Sequence, residues 1–137
     1  MTYSYDRRMI HASNIEDDDK LTDWQGLIAD ALKPAQAAAD ELDQSTDSDV
    51  LEEPLKHAKE IVKDFTSAET CETTRDYLAN IRAAKTNLGK LEAALKSAKT
   101  SAKEERDKDA LKAIANAVDE LRTLKRELRD IEGEIED

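Results

Sequence analysis

Apolar residues recur at alternating steps of three and four through the second half of the chain, in two runs that mirror each other. The first run is Thr74, Tyr77, Ile81, Ala84, Leu88, Leu91, Leu95, Ala98 and Ala102. The second is Ala110, Ile114, Ala117, Leu121, Leu124, Leu128, Ile131 and Ile135. Steps of this kind keep one stripe on one helical face, and two such stripes can bury each other. Folding the chain back at Arg106 pairs Ala102 with Ala110, Leu95 with Ala117, Leu91 with Leu121 and Ile81 with Ile131. Rungs that set a large residue against a small one suit interdigitating side chains. The alternative is one continuous rod, since neither Gly nor Pro occurs between residues 103 and 109. But continuing the heptad spacing past Ala102 lands on the charged Glu105 and Asp109. The stripe changes register there, which predicts an antiparallel hairpin about 50 Å long at 1.5 Å per residue.

The first half carries shorter stripes. Leu21, Trp24, Ile28, Ala31, Ala35, Ala38 and Leu42, with Leu27 and Leu32 beside them, predict a first helix at about 22–43. Ser13 to Glu16 and Thr22 to Gln25 both have capping-box spacing. Pro34 falls inside the stripe and predicts a kink or break near Lys33, because it lacks an N–H and crowds the preceding turn. Residues 43–49 read as a polar loop. A second helix, about 53–66, buries Leu51, Leu55, Ala58, Val62 and Phe65, with Ile61 flanking and Pro54 in its first turn. Thr66-Ser67-Ala68-Glu69 is a further capping box that would start a third helix at about 67–102, with a fourth at about 107–134. Gly89 weakens the third helix and reads as a point of close packing. The fold class is all-α: a long, coiled-coil-like antiparallel hairpin with two shorter N-terminal helices packed along it. The helices form one domain, residues 13–137, behind an N-terminal arm, residues 1–12. Leu78, Leu111 and Val118 lie beside the hairpin stripes and are natural seats for the shorter helices.

Composition supports long helices over a globular core. The chain has 137 residues, of which 39% are charged and only five are aromatic. Three glycines, two prolines and abundant alanine fit high helix propensity. No apolar run approaches the length of a membrane span, and the N-terminus has no apolar signal-peptide core. Cys71 is the only cysteine, so no internal disulfide can form. These features predict a cytoplasmic protein with no membrane partner. The net charge of −11 is uneven: residues 21–49 carry one basic and seven acidic groups, whereas residues 67–102 carry six basic and four acidic. An acidic protein repels nucleic acid at long range, so direct nucleic-acid binding is disfavoured. The basic stretch of Arg82, Lys85, Lys90, Lys96, Lys99 and Lys103 lacks the aromatics that would stack bases. It suits an acidic protein partner or, internally, the acidic first helix lying alongside.

Candidate chemistry is sparse. His11 and His57 stand far apart, and His57 falls on the polar side of its helix. Cys71 would lie in the first turn of the third helix, where a thiol pKa can be lowered, but no histidine is placed by sequence to serve it. Residues 43–49 alternate oxygen-bearing side chains as a calcium loop does. However, Ser48 stands at the turn-glycine position and Pro54 at that of the bidentate Glu. Trp24-Gln25-Gly26 resembles the Trp-x-Gly turn of the small helical-hairpin substrates of bacterial type VII secretion. Here it falls on the stripe of the first helix, which makes Trp24 a core residue. No phosphate loop, zinc motif or Glu-x-x-His pair is present.

The expectation is therefore a non-enzymatic protein without cofactor or metal, serving protein–protein interaction, assembly or scaffolding. The alternative is a small acidic inhibitor of phage or mobile-element origin that blocks a basic nucleic-acid site on a host protein. An elongated bundle poor in aromatic bulk gains by self-association, most simply as a two-fold dimer. Candidate partner-binding residues are Tyr3, Tyr5, Arg7, Arg8, Met9 and Ile10 of the arm, together with Lys85, Lys96, Lys99 and Lys103. Tyr combines an apolar ring with a polar tip and suits an interface.

Overall fold

A computed structural model of the protein describes residues 11–44 and 49–136, with side chains from residue 20 onward as far as residue 135. Among the described residues the secondary structure is helical and no strand occurs. Helix α1 spans His11–Asp43, α2 Glu52–Thr70, α3 Thr74–Glu105 and α4 Lys108–Glu136. A 3-10 turn, Asp49–Leu51, leads into α2. The helices form a bundle in which α1 packs along α2 and α4, and α3 packs along α2 and α4; α1 and α3 meet only slightly, across the diagonal.

The stripes are the core. Tyr77, Ile81, Ala84, Leu88, Leu91, Leu95, Ala98 and Ala102 are buried on α3, as are Ala110, Ile114, Ala117, Leu121, Leu124, Leu128 and Ile131 on α4. Their partners are not only each other. α4 lies more extensively along α1, and α3 along α2, than α3 and α4 lie along one another. A stripe records that a face is buried; which neighbour buries it depends on how all four stripes close around one core. Accordingly α1 is not a short helix laid on a longer pair: its 33 residues match the 32 of α3.

Several boundaries differ from the sequence reading. α1 begins at His11 rather than near residue 22, so both Ser13 and Thr22 lie within the helix and are not its caps. The helix also continues through Pro34, whose ring is buried. An interior proline costs about 3 kcal/mol, but here its ring adds to the apolar stripe, and flanking packing from Ala31, Ala35 and Ala38 holds the turn together. The buried stripe of α2 runs Pro54, Ala58, Ile61, Phe65 and Ala68, leaving Leu55 and Val62 half-buried at its edges. It is rotated relative to the expected face, with Ile61 at its centre.

The break between α2 and α3 also moves. α2 runs on to Thr70, because Thr66 is no cap: its hydroxyl donates back to the Val62 carbonyl at 2.8 Å, an interior helical bond. Four-residue capping spacing also arises within helices, and only side-chain geometry separates the two cases. The true N-cap of α3 is Thr73, whose hydroxyl accepts from the Asp76 amide at 3.1 Å. Cys71 therefore sits at the C-terminal end of α2, not in the first turn of α3.

α3 ends at Arg106, which adopts the left-handed conformation at φ 57° and ψ 37°. The Asp107 amide donates to the Ala102 carbonyl at 2.9 Å, and the Arg106 amide to the Lys103 carbonyl at 3.2 Å. This pattern satisfies carbonyls that the helix end would orphan. Asp107 then caps α4, its carboxylate accepting from the Ala110 amide at 3.0 Å. Gly89, expected to mark close packing, does not: a Cβ added there would meet nothing within 4 Å.

Polar ties fix the axial register between neighbours. Asn87 donates to the Asp64 carboxylate at 2.7 Å between α3 and α2, and Asn116 to Glu41 at 3.0 Å between α4 and α1. Lys85 pairs with Glu132 at 2.8 Å, and Lys125 with Glu92, joining α3 to α4. Sliding one helix by a turn, about 5.4 Å, would break its ties.

Candidate interaction surface

At one end of the bundle, α1, α2 and α3 meet in a polar junction. The Gln25 side-chain amide donates to the Ala68 carbonyl at 3.1 Å and to the Cys71 carbonyl at 2.8 Å. It thereby caps the C-terminus of α2 from a different helix. The Cys71 thiol lies 3.3 Å from the Ala68 carbonyl and 3.5 Å from that of Thr73, and it acts as a weak donor to them. Cys71 thus closes the C-terminus of α2 and does not occupy the first turn of α3, where the sequence reading placed it. Tyr77 is fully buried, and its hydroxyl donates to the Trp24 carbonyl at 2.8 Å. The Trp24 ring packs 5.6 Å from the Tyr77 ring, centroid to centroid, and is half-buried. Burial pushes the Tyr77 phenol well above its ordinary range, with a lesser contribution from Cys71. The junction is thus a set of satisfied structural groups.

His57 is half-buried rather than exposed, 3.5 Å from the Glu53 carboxylate one turn earlier. It lines a shallow hollow between the start of α2 and α3 with Pro54, Ala94 and Ser97. Among the described residues, no three His, Cys, Asp or Glu side chains gather in a way that would hold a metal ion. Residues 45–48 of the calcium-like loop lie outside the described residues. Nor, among the described residues, is any helix long and apolar enough to cross a membrane.

The outer seam of α3 and α4 is different. A groove of about 290 Å³ opens between them, floored by Leu95, Ile114, Val118 and Leu121. A second lobe of about 240 Å³ shares Ile114 and Val118 and extends it to Leu111. Leu111 and Val118 were expected to seat the shorter helices. Both instead remain half-buried at the groove, because α1 and α2 pack on the other sides of α4 and α3. Lys96 and Lys99 rim the groove from α3, and Arg122 and Lys125 from α4.

The fates of the basic residues of α3 separate. Lys85 is committed to Glu132 of α4. Lys96, Lys99 and Lys103 are exposed. α1 meets α3 only slightly, and among the described residues no ion pair links its acidic side chains to Lys96, Lys99 or Lys103. Tyr3, Tyr5, Arg7, Arg8, Met9 and Ile10 lie outside the described residues. Sequence reasoning missed Arg122 and Lys125. Their signal was partly available, since the reversal at Arg106 sets residues 118–125 level with 87–94, one turn or so from Lys96 and Lys99. No family model matches the chain, and neither a curated protein nor a solved structure does.

Proposed function

We propose that the chain is a non-enzymatic interaction protein, an assembly, scaffolding or adaptor bundle that works by displaying a helical seam to another protein. The observation that carries this reading is the apolar groove between α3 and α4, where, among the described residues, no helix lies over Leu111 and Val118. Most other residues of the stripes are buried in the internal core. In this reading α3 and α4 act as a coiled-coil-like hairpin whose inner side anchors the bundle and whose outer side recruits. The turn at Arg106 and Asp107 and the cross-pairs Lys85–Glu132 and Glu92–Lys125 support that role, because they hold the two rims at fixed separation. Cytoplasmic residence accompanies this reading.

The test is reconstitution. The full chain, immobilised, is exposed to lysate from its source organism, and any retained protein is then purified and recombined with it. The reading expects a complex of defined stoichiometry by light scattering, lost when Val118 is replaced by Glu. A chain that stays alone under all these conditions refutes it.

A further inference from the structure

We infer that the α3–α4 groove is a docking site for an acidic amphipathic helix of a partner protein, an inference that rests on the interaction reading above. Three observations converge on that occupant. The first is shape. The groove runs from Leu121 to Leu111, ten residues of α4, or about 15 Å at the helical rise. Its main lobe of about 290 Å³ falls at the low end of small-molecule pockets, roughly 300–1,000 Å³. A long, shallow, apolar trough between two antiparallel helices suits a row of side chains spaced along a third helix.

The second is charge. Among the acidic residues at the rim, Glu92 pairs with Lys125 and Asp119 with Arg122 at 3.2 Å. Lys96 and Lys99 have no ion pair among the described residues and are exposed on a protein whose net charge is −11. A helix carrying Asp or Glu beside its apolar row would meet these two ammonium groups directly. A basic or neutral helix would leave them opposed or unanswered. Complementary charge of this kind steers encounter and suppresses wrong partners.

The third concerns the competing occupant, a second copy of this chain. A two-fold contact groove to groove would bring two copies of the basic rim, each with Lys96, Lys99, Arg122 and Lys125, into one interface, an arrangement with repulsion built in. Acidic residues elsewhere on a second copy would have to approach head to tail, a heterologous contact that builds rings or open filaments and not a two-fold dimer.

The probe is a fluorescein-labelled synthetic helix with leucines on one stripe and glutamates on both flanks. Its control has the same leucines with lysines in place of the glutamates. Binding to the full chain is read by fluorescence anisotropy, and its location by backbone amide NMR shifts. The acidic helix should bind in preference to the basic one, with shifts clustered at residues 95–99 and 111–122. Lys96→Glu with Lys99→Glu should weaken it by about tenfold or more, as expected when two charge-assisted contacts are reversed. Lys56→Glu, an exposed change on α2, should leave it unaltered. All three positions are exposed, so thermal melts should stay unchanged.

Equal binding of the two helices, or an acidic helix indifferent to the double reversal, overturns the proposal. A chain that dimerises on concentration, loses dimerisation in the double variant and ignores the peptide assigns the groove to a second copy instead. A reconstituted partner whose binding survives the double reversal keeps the interaction reading and removes the groove. Absence of any partner removes the interaction reading itself.

Discussion

Replacing Arg106 with glycine should stabilise the protein, and the sign of the effect tests the turn itself. Arg106 is held at φ 57°, a region where a Cβ crowds the following carbonyl. That strain costs roughly 1–2 kcal/mol for an ordinary L-residue and nothing comparable for glycine. Glycine brings its own penalty, since the unfolded chain gains freedom worth about 0.5–1 kcal/mol. The Arg106 side chain is exposed, so little packing is lost. The backbone bonds that close the turn, Asp107 amide to Ala102 carbonyl and Arg106 amide to Lys103 carbonyl, need no side chain and are retained. The difference leaves a net gain of about 0.5–1 kcal/mol. If residues 103–109 instead continued one helical rod, the same substitution would put glycine in a helix interior and cost up to about 1 kcal/mol. Urea unfolding followed by circular dichroism distinguishes the two cases, because a changed midpoint at constant slope reports stability. A lower midpoint for Arg106→Gly would refute the chain reversal, and Arg106→Ala should fall near the parent.

Other positions make separate claims. Gly89→Ala should raise stability by up to about 1 kcal/mol, because the added methyl meets open space and the helix gains propensity; a lower thermal midpoint would show an unseen close neighbour. Tyr77→Phe should cost about 0.5–1.5 kcal/mol by urea titration, from loss of the buried hydrogen bond to the Trp24 carbonyl, and no loss would mean that this bond contributes nothing net. Asp64 has its carboxyl raised above the ordinary 3.8, chiefly by burial, with the Asn87 hydrogen bond opposing and Glu60 reinforcing. Its folded form therefore holds a proton more tightly than the unfolded chain does. That contribution is fully present below pH 3.8 and is lost as pH rises through the raised value. Relative to Asp64→Asn, the parent should thus lose stability on going from acid to neutral pH; the opposite trend would mean that Asn87 outweighs desolvation.

Periodicity made the four helices legible because burial acts on helical faces, and faces repeat every 3.6 residues. The α3 and α4 stripes reappear as the buried set nearly residue for residue. Helix ends were less legible, since their signals are short and ambiguous. Thr66 and Thr73 offer the same hydroxyl, yet only Thr73 caps, because only there is the chain bent away from the helix above it. Pro34 misled for a related reason: local penalties argue for a break, but tertiary burial of Ile28, Ala31, Ala35 and Ala38 on both sides outweighs a loss of about 3 kcal/mol. The cap supplied by Gln25 to α2 spans more than forty positions and leaves no local trace.

The groove shows where pattern reading stops and geometry starts. Leu111 and Val118 stand beside the α4 stripe as any flanking apolar residues would, and nothing in the spacing tells a covered flank from an open one. That distinction depends on where α1 and α2 settle, and both settle away from the outer seam. The lysines follow the same logic. From charge alone, the basic stretch of α3 pairs naturally with the acidic first helix. The bundle places those two helices diagonally and spends Lys85 on α4, while Lys96 and Lys99 remain on the rim of an apolar trough. Exposed lysine alone marks only a solvated face, and exposed leucine alone is common on any surface. Together, along about 15 Å of one seam, they are the two properties on which the proposed docking surface rests: apolar area to cover and a preferred sign of partner. An acidic helix answers both properties at once, which is why reversing Lys96 and Lys99 should change which partner binds and not only how tightly.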